Sequence, residues 1–419
     1  MDGRTAQIDS ACPASRRPGG GGRSTGVVVI GGGVIGCAVA YYLARRGIRV
    51  TVLEADGIAS GSSGACDGLV FMQSKKPGVH LELALEGLAL FAELRTALPL
   101  PIGFVQRGGM IVIETEAEMA AMERYAARQR EIGLPVALMD GAEARRMEPG
   151  LSAHILGVTH SPLDGRVDPI ALTRALARGA RDLGAAVIPH APVARMILSK
   201  GRVAAVETPR GRFRADAFVN AAGVLAPEIG RMAGLQIPIT PRRGQLIVTR
   251  ACPGRIRCCL LSADYIAAKY RTDPDPAGGH GVSIEQTENG NFLLGSTREF
   301  AGFDRRTTPE GLRHIAARTT RILPALGAVS VLRSFAGLRP YTPDGLPILG
   351  PAPDVAGLYL AAGHEGDGIA LSAITGKLMA QLIDEGRTDI PLEAFCLERF
   401  SEAGPEKALS TGQNNPWMT

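Results

Sequence analysis

Three closely spaced glycines and a later acid have the types and spacing of residues that hold a dinucleotide. Gly31, Gly33 and Gly36 form a G-x-G-x-x-G pattern, and Glu54 follows about 20 residues further on. The first glycine permits a tight turn, the second lets the backbone approach a pyrophosphate, and the third lets a helix pack closely on the sheet. An acid at Glu54 can accept hydrogen bonds from ribose hydroxyls. These residues predict a dinucleotide-binding site.

The elements needed to position these residues occur in the right order. A β-branched run (VVVI) ends at Ile30, an apolar helical pattern (CAVAYYLARR) follows Gly36, and a second β-branched run leads to Glu54. A helix that begins at the glycine turn directs its N-terminal N–H groups and its partial positive charge towards the phosphates. A glycine-rich strand–helix turn without a ligand is the alternative. The complete strand, turn, helix and strand order favours the dinucleotide.

Composition places the chain among ordinary soluble globular proteins. It has 419 residues, of which 45% are hydrophobic and 21% charged, so it is long enough for two domains with a substantial core. The formal charge of +5 is small, and no basic run is interleaved with aromatic residues, so we expect no nucleic-acid partner. No apolar stretch apart from the dinucleotide elements reaches the ~18 residues that a transmembrane segment needs. We therefore expect a cytoplasmic protein that is at most peripheral to the inner membrane.

The cysteines show neither a disulfide framework nor a metal site. No CxxC pair or Cys/His spacing fits zinc, and no four-thiolate pattern fits an iron–sulfur cluster, so no metal is expected. We expect mostly buried free thiols at the seven positions, which are Cys12, Cys37, Cys66, Cys252, Cys258, Cys259 and Cys396. A redox or partner-contact patch is the alternative for the group from Cys252 to Cys259.

Periodicity divides the rest of the chain into helices and strands. The apolar spacing predicts helices at residues 81–98, 117–132, 140–147, 169–183, 312–323 and 368–384. Short apolar runs predict strands at residues 186–188, 193–198, 203–208, 217–223 (ending in a glycine turn), 333–338 and 358–363, a strand-rich block at 237–296, and a hairpin around Gly108-Gly109. Asp168 followed by Pro169 predicts an N-cap and a first helical residue.

This order of elements predicts an α/β fold with two interleaved domains. A Rossmann-like cofactor domain would comprise residues 26–75, 145–235 and 335–390, and an antiparallel-sheet substrate domain would be inserted as residues 76–144 and 236–334. Residues 1–25 are rich in Gly, Ser, Pro and Arg and are predicted to be a disordered tail. Residues 391–419 would form a C-terminal extension.

Four sequence motifs together resemble those of one superfamily of flavoproteins. In chain order they are GVVVIGGGVIG, VNAAG, GLRPYTPDGLPILG and GHEGDGIALSAITGKLMAQLI. The chain resembles the D-amino-acid oxidase and glycine/sarcosine oxidase superfamily, and within it the flavin subunits of D-hydroxyproline dehydrogenase, opine oxidase and hydrogen cyanide synthase. The resemblance implies FAD as the cofactor. Sarcosine oxidases attach their flavin through a cysteine shortly before the last motif, and this chain has none there, so we expect non-covalent FAD.

The resemblance also implies cofactor contacts residue by residue. At the start of the last helix, N–H groups and the helix dipole would face the flavin N1–C2=O edge and stabilise negative charge there. Strand-to-helix turns without a ligand are the alternative, and Asp367 could equally be an N-cap. The implied contacts are Gly31, Gly33, Val34, Ile35 and Gly36 at the pyrophosphate, Glu54 and Ala55 at the ribose, Ser62 and Ser63 near the diphosphate and flavin, Val193 at the adenine, Ala222 and Gly223 at the second glycine turn, and Arg339, Gly363, Glu365, Gly366, Asp367, Gly368 and Ile369 at the flavin.

Arg339, in the GLRP motif, is the strongest candidate for binding a substrate carboxylate. The resemblance implies this role, and a planar guanidinium offers a fork of donors that matches a carboxylate. A structural salt bridge, for example to Asp344, is the alternative. Tyr265 and Tyr270, expected in the inserted sheet, and His364 are the other catalytic candidates. Core packing is an equal alternative for the tyrosines, and a surface or helix-cap role is the alternative for His364.

The resemblance implies oxidation of an amine at its C–N bond, with hydride transfer to flavin N5. The expected substrate is a small carboxylate-bearing amine of the D-hydroxyproline or opine type. The chain would be the catalytic subunit of a dye-linked dehydrogenase, beside a second flavoprotein and a small iron–sulfur protein. The alternatives are a stand-alone glycine, sarcosine or D-amino-acid oxidase that produces hydrogen peroxide, and a non-catalytic FAD scaffold. The presence of Arg339 argues against the scaffold.

Overall fold

The computed structural model describes residues 26–252, 254, 256–269 and 281–400. The predicted disordered tail, residues 1–25, therefore lies outside the described residues. Tyr270, a predicted catalytic residue, and most of the predicted C-terminal extension lie outside them as well.

Strands form at most of the predicted runs, whereas the strands at residues 69–70, 137–140, 157–161 and 165–166 were not predicted. The described strands are, in chain order, β1 Val27–Ile30, β2 Val50–Leu53, β3 Leu69–Val70, β4 Gly109–Ile113, β5 Ala137–Asp140, β6 Gly157–Ser161, β7 Gly165–Arg166, β8 Ala186–Ile188, β9 Arg195–Ser199, β10 Arg202–Thr208, β11 Gly211–Phe213, β12 Ala217–Asn220, β13 Thr240–Thr249, β14 Cys259–Ser262, β15 Ser283–Gln286, β16 Phe292–Gly295, β17 Val331–Tyr341, β18 Ile348–Pro351 and β19 Leu358–Ala362.

Side-chain caps explain where several helices begin. Asp168, the predicted N-cap, accepts hydrogen bonds from the N–H groups of Ile170 and Ala171 at 2.9 Å each, so this prediction is confirmed. A cap of this kind stabilises a helix by about 1 kcal/mol. The described helices are α1 Val34–Arg45, α2 Val79–Ala97, α3 Glu116–Glu131, α4 Gly141–Met147, α5 Pro169–Asp182, α6 Ala226–Arg231, α7 Ala263–Lys269, α8 Pro309–Ile322 and α9 Gly368–Glu385.

The first sheet is largely parallel and contains the predicted dinucleotide strands. Its order is β18-β19-β12-β1-β2-β8, parallel from β19 to β8, with β18 antiparallel at one edge. Alternate side chains face opposite layers, as a strand requires. Val27 and Val29 pack with α1, α2, α5 and α9, whereas Val28 and Ile30 pack towards the small sheet β11-β10-β9. Burial on both faces explains why β1 and β2 consist mostly of β-branched residues.

The second sheet is mixed, and it borders the cavity described below on the side opposite the first sheet. Its order is β17-β13-β16-β15-β14-β4-β6-β5, antiparallel except for the β14–β4 pair. The long pair β13–β17 aligns Arg242 with Arg339 and Gly244 with Gly337. The domain bounds remain a prediction, although β6 and the whole of β17, including its residues from 335 onwards, pair within this second sheet.

Two local predictions in this sheet are wrong. No hairpin forms around Gly108-Gly109, because β4 finds its partners in the distant strands β6 and β14, while Val105 forms a bridge with Arg166. Tyr265 was expected in a strand but lies in the short helix α7. The alanine-rich stretch that contains it favours a helix over a strand.

Among the described helices, none combines the length and the apolar character that crossing a membrane requires.

Candidate active site

A cavity of about 550 Å³ lies where the ends of the parallel strands meet the second sheet. One end is bordered by the residues that follow β1, β2 and β12, which is where ligands bind in open parallel sheets. The other end is bordered by β13, β17 and α7, with Gly244, Leu246, Tyr265 and Arg339. The same cavity therefore joins the predicted dinucleotide residues to the predicted substrate arginine.

The turn between β1 and α1 has the close backbone packing that its glycines predict. Gly31 has a φ of +114°, and a Cβ there would lie 2.5 Å from the carbonyl oxygen of Ala221. A Cβ on Gly36 would lie 2.0 Å from the carbonyl oxygen of Gly31, so only a glycine lets α1 pack this closely against the turn. Gly36 itself does not border the cavity. The other predicted residues of the turn, which are Gly31, Gly33, Val34 and Ile35, border the cavity.

Glu54 lies at the carboxyl end of β2, is 8% exposed, and borders the cavity beside Ala55. Its Oε2 accepts a hydrogen bond from the Gly32 N–H at 2.5 Å, and its Oε1 accepts one from the Asp56 N–H at 2.8 Å. Oε1 also accepts a hydrogen bond from Ser60 Oγ at 3.4 Å, whereas Oε2 can accept a second one. The acid is thus fixed by the backbone while it retains acceptor capacity for ribose hydroxyls.

We expect Glu54→Ala to weaken FAD binding at least ~10-fold, because each lost hydrogen bond to the charged carboxylate is worth about 1.5–3 kcal/mol. Glu54→Arg should weaken it further, since a cation replaces the acceptor that the hydroxyls need. Titration of apoprotein with FAD, followed by flavin fluorescence, measures the dissociation constant. Asp56→Ala is the matched control, because Asp56 also borders the cavity but its side chain is 76% exposed. Wild-type affinity in both Glu54 variants would exclude the ribose assignment.

The serines of the small-residue loop after β2 form hydrogen bonds to helix α1 and to strand β17. Ser63 Oγ accepts a hydrogen bond from the Val34 N–H at 2.9 Å, and Ser62 Oγ donates one to the Leu338 carbonyl oxygen at 2.6 Å. Both serines border the cavity. The loop therefore links the start of α1 to the strand that carries Arg339.

Three further predicted contacts border the cavity near the first sheet. Val193 lies just before β9, not inside a strand as predicted, and Ala222 and Gly223 directly follow β12. Cys66 also borders the cavity, and burial raises the pKa of its thiol well above the usual value. A protonated thiol is a poor nucleophile, which agrees with the expectation of non-covalent FAD.

The segment before α9 lines the cavity except for one residue. Gly363, His364, Glu365, Gly366, Gly368 and Ile369 border the cavity, whereas Asp367 does not. Asp367 is at the N-cap position of α9 but makes no side-chain capping bond. Its carboxylate instead lies 2.9 Å from Lys75 Nζ and 3.3 Å from His80 Nε2. The structure thus places Asp367 in a buried ion pair behind the segment.

Lys75 is a positioning residue that the sequence reasoning missed. It is 1% exposed, and its ammonium also donates a hydrogen bond to the Phe71 carbonyl oxygen at 2.8 Å. Breaking a buried ion pair leaves an uncompensated charge, so the Lys75–Asp367 pair fixes the start of α9 firmly. The only signal was the Lys75-Lys76 pair that follows Gln73 and Ser74, which no known motif marked.

His364 is held as a neutral imidazole. It is 3% exposed, and its Nε2 lies 3.0 Å from Thr375 Oγ1 within α9. Burial lowers the pKa of His364 to about 3, with a smaller lowering by His80 and an opposing effect of Asp367. A ring that stays neutral near pH 7 cannot supply a positive charge to a substrate carboxylate.

Arg339 borders the cavity, and some N–H donors of its guanidinium remain available for a ligand. Its Nη1 donates to the Thr297 carbonyl oxygen at 3.0 Å and its Nη2 donates to Ser296 Oγ, which leaves a second N–H on each nitrogen. Its Nε lies 3.9 Å from Glu365, whose carboxylate pairs with Arg242. Asp344, the acid considered as its structural partner, pairs instead with Arg399. The guanidinium is therefore hydrogen-bonded by neutral groups and forms only a long ion pair with Glu365, so it can still bind a carboxylate.

Comparison with known proteins assigns the chain to a family. The family described as FAD dependent oxidoreductase matches residues 26–382. A glycine oxidase from Geobacillus kaustophilus is 34% identical, and the alignment covers 89% of this chain and 96% of the relative. A hydrogen cyanide synthase subunit from Pseudomonas aeruginosa is 32% identical, with 92% and 98% covered. The crystal structure of L-proline dehydrogenase from P. horikoshii matches with a TM-score of 0.82 at 28% identity, with 91% and 98% covered. These matches confirm the predicted α/β fold class.

Proposed function

Because the chain belongs to the FAD-dependent oxidoreductase family, we propose that it oxidises a carboxylate-bearing secondary or D-configured amine of the D-hydroxyproline or opine type. Its cofactor is FAD, and its reaction is the oxidation of amino acids or amines. The observation that carries the proposed substrate type is Arg339, whose available N–H groups border the cavity opposite the dinucleotide turn.

The residues that border the cavity fit FAD. The turn at Gly31 leaves no room for a side chain, Glu54 offers a fixed acceptor, and the start of α9 lies at the opposite end. These groups would hold the pyrophosphate, the ribose and the flavin, respectively. When bound, FAD supplies the acceptor for the hydride that leaves the substrate carbon.

The residues at the substrate end of the cavity position the substrate. Arg339 would bind the carboxylate in a bidentate manner and so fix the oxidised carbon in one orientation. Leu246, Pro340 and Ile369 give the cavity apolar walls, which limit water around the substrate and strengthen the ion pair with Arg339. The substrate amine loses its proton to solvent before oxidation, so no strong protein base is required.

We further propose that the chain is the catalytic subunit of a dye-linked dehydrogenase. The similarity to a protein named as a hydrogen cyanide synthase subunit supports this proposal, with 98% of that subunit covered. A second flavoprotein and a small iron–sulfur protein would receive the electrons, with their contact at the Cys252 to Cys259 segment. The second candidate is a stand-alone oxidase, which the 34% identity to a glycine oxidase favours.

The two candidates differ in their electron acceptor. We expect the holoenzyme, reduced by substrate without oxygen, to react slowly with oxygen and much faster with an artificial dye or with partner subunits. Stopped-flow absorbance measures the rate of reoxidation, and peroxide release is measured in the same preparation. Oxygen reoxidation as fast as steady-state turnover, with stoichiometric peroxide, would favour the stand-alone oxidase instead.

A further inference from the structure

Arg298 is a buried guanidinium that the site described above does not use. The residue is 5% exposed, and none of its three side-chain nitrogens makes a hydrogen bond within the described part of the chain. Its Cζ lies 4.0 Å from the ring centre of Tyr265, which borders the cavity. A ring face attracts a cation but satisfies none of its five N–H donors. Burial opposes the charge on Arg298, but Tyr265 and the carboxylates of Glu365 and Asp367 outweigh it and raise the pKa of the guanidinium. A buried, charged guanidinium that no described carboxylate directly pairs with is unfavourable, so this arrangement indicates an anion that arrives with a ligand.

Arg298 is adjacent to the predicted carboxylate-binding residue but separate from it. Arg339 donates its hydrogen bonds to Ser296 and Thr297, the two residues that precede Arg298. The Arg339 guanidinium therefore rests on the backbone that leads into Arg298. The substrate end of the cavity thus has two guanidiniums, of which one borders the cavity and the other lies behind Tyr265.

Three guanidiniums lie close to the carboxylate of Glu365 at the substrate end of the cavity. Arg242, Arg298 and Arg339 are close enough that burial and the other two guanidiniums lower the pKa of Arg242, against the opposing charge of Glu365. Glu365 pairs with Arg242 and lies 3.9 Å from Arg339, and the nearby Asp367 is paired with Lys75. Among the described residues, Glu365 forms a close ion pair with Arg242, whereas Arg298 and Arg339 have no carboxylate as close. A ligand with two carboxylates would provide one acceptor for each of these two guanidiniums.

We propose that Arg298 binds a second carboxylate of the substrate, so that the substrate class is a secondary amine carrying two carboxylates. This inference rests on the proposed function and narrows it, because an opine-type amine has two carboxylates and hydroxyproline has one. Arg339 holds the carboxylate on the oxidised carbon, and Arg298 holds the one on the other nitrogen substituent. The oxidised carbon gives its hydride to FAD, the nitrogen gives a proton to solvent, and water hydrolyses the resulting imine to an amine and an oxo acid.

Tyr265 controls access to this second position. Arg298 does not itself border the cavity, so a carboxylate takes the place beside the guanidinium that the Tyr265 ring now covers. The ring has to shift by a side-chain rotation or a small movement of α7. The phenol hydroxyl is then a further donor for the incoming carboxylate.

Binding of amine-free analogues tests the proposal without turnover. Thiodiacetate has two carboxylates and (methylthio)acetate has one, and both are titrated into holoenzyme while the flavin spectrum and the unfolding temperature are recorded. The wild type should bind thiodiacetate ~30-fold or more tightly than (methylthio)acetate. Arg298→Met should remove this difference and Arg298→Lys should restore part of it, with flavin content unchanged. Arg313→Met is the control, because Arg313 is exposed and does not border the cavity.

Turnover separates this inference from the proposed function. Iminodiacetate and its longer homologues are compared with N-methylglycine and hydroxyproline by kcat/KM. For the preferred diacid, Arg298→Met should lower kcat/KM ~100-fold, while the value for the monoacid changes less than ~3-fold. Equal losses for both acids, or a wild type without any preference for a diacid, would overturn the inference but leave the proposed function intact. A wild type that oxidises none of these amines would instead contradict the proposed function.

Discussion

Arg339→Ala and Arg339→Lys are expected to retain FAD and to lose most turnover of carboxylate-bearing amines. The guanidinium is oriented by Ser296 and Thr297, and its remaining N–H groups border the cavity. Losing a desolvated pair of this kind costs about 2–5 kcal/mol, which lowers kcat/KM by ~30-fold or more. Lysine should recover only part of the loss, because a point charge cannot reproduce the planar fork.

Steady-state kinetics and flavin absorbance of the purified variants measure these effects. Arg333→Ala is the matched control, because Arg333 lies in the same strand β17 but is exposed. It should change neither flavin content nor kcat/KM. If both Arg339 variants turned over carboxylate amines at the wild-type rate, Arg339 would not bind the substrate carboxylate.

Gly337→Ala is expected to disrupt the contact between the small-residue loop and β17. A Cβ at this position would lie 1.9 Å from the carbonyl oxygen of Ala65, and a backbone atom cannot move aside as a flexible side chain can. Overpacking of this kind typically costs about 1–3 kcal/mol. The displaced loop also carries Ser62, which bonds to Leu338, so FAD affinity should fall together with the unfolding temperature.

A second glycine provides the comparison for this substitution. Gly327→Ala should be nearly silent, because no described heavy atom lies within 4 Å of its Cβ position. Thermal unfolding and FAD titration of both variants measure the difference. If Gly337→Ala and Gly327→Ala unfolded at the same temperature and bound FAD equally well, the close packing at Ala65 would not matter for the site.

Local patterns were sufficient to predict the dinucleotide half of the cavity. The turn at Gly31 and the acid at Glu54 depend on residues that are close in sequence, and β1, α1 and β2 follow one another directly. The same holds for the helix that begins at Pro169, because its cap, Asp168, is the preceding residue. Each of these features depends only on residues that are close together in the chain, so it can be predicted from the sequence.

Long-range partners could not be read from the sequence. The expected hairpin around Gly108-Gly109 failed because β4 pairs with β6 and β14, whose positions depend on the whole second sheet. For the same reason, nothing in the sequence marked Lys75 as the ion-pair partner of Asp367. Nor did anything mark Arg298 as a buried guanidinium whose nitrogens make no hydrogen bond within the described part of the chain. The charge of a residue is visible in the sequence, but the group that compensates it is fixed only by the tertiary structure.

Anaerobic absorbance of the bound flavin tests the central claim most directly. The holoenzyme is mixed without oxygen with a panel of prolines, D-amino acids, N-methylglycine and opine-type amines, and the flavin band is followed in the wild type and in Arg339→Ala. The band should be lost in the wild type with at least one carboxylate-bearing amine, and it should persist in Arg339→Ala with the same amine. A wild-type flavin that is bleached by dithionite but by none of these amines, or equal bleaching in Arg339→Ala, would contradict the claim that this cavity oxidises an amine held by Arg339.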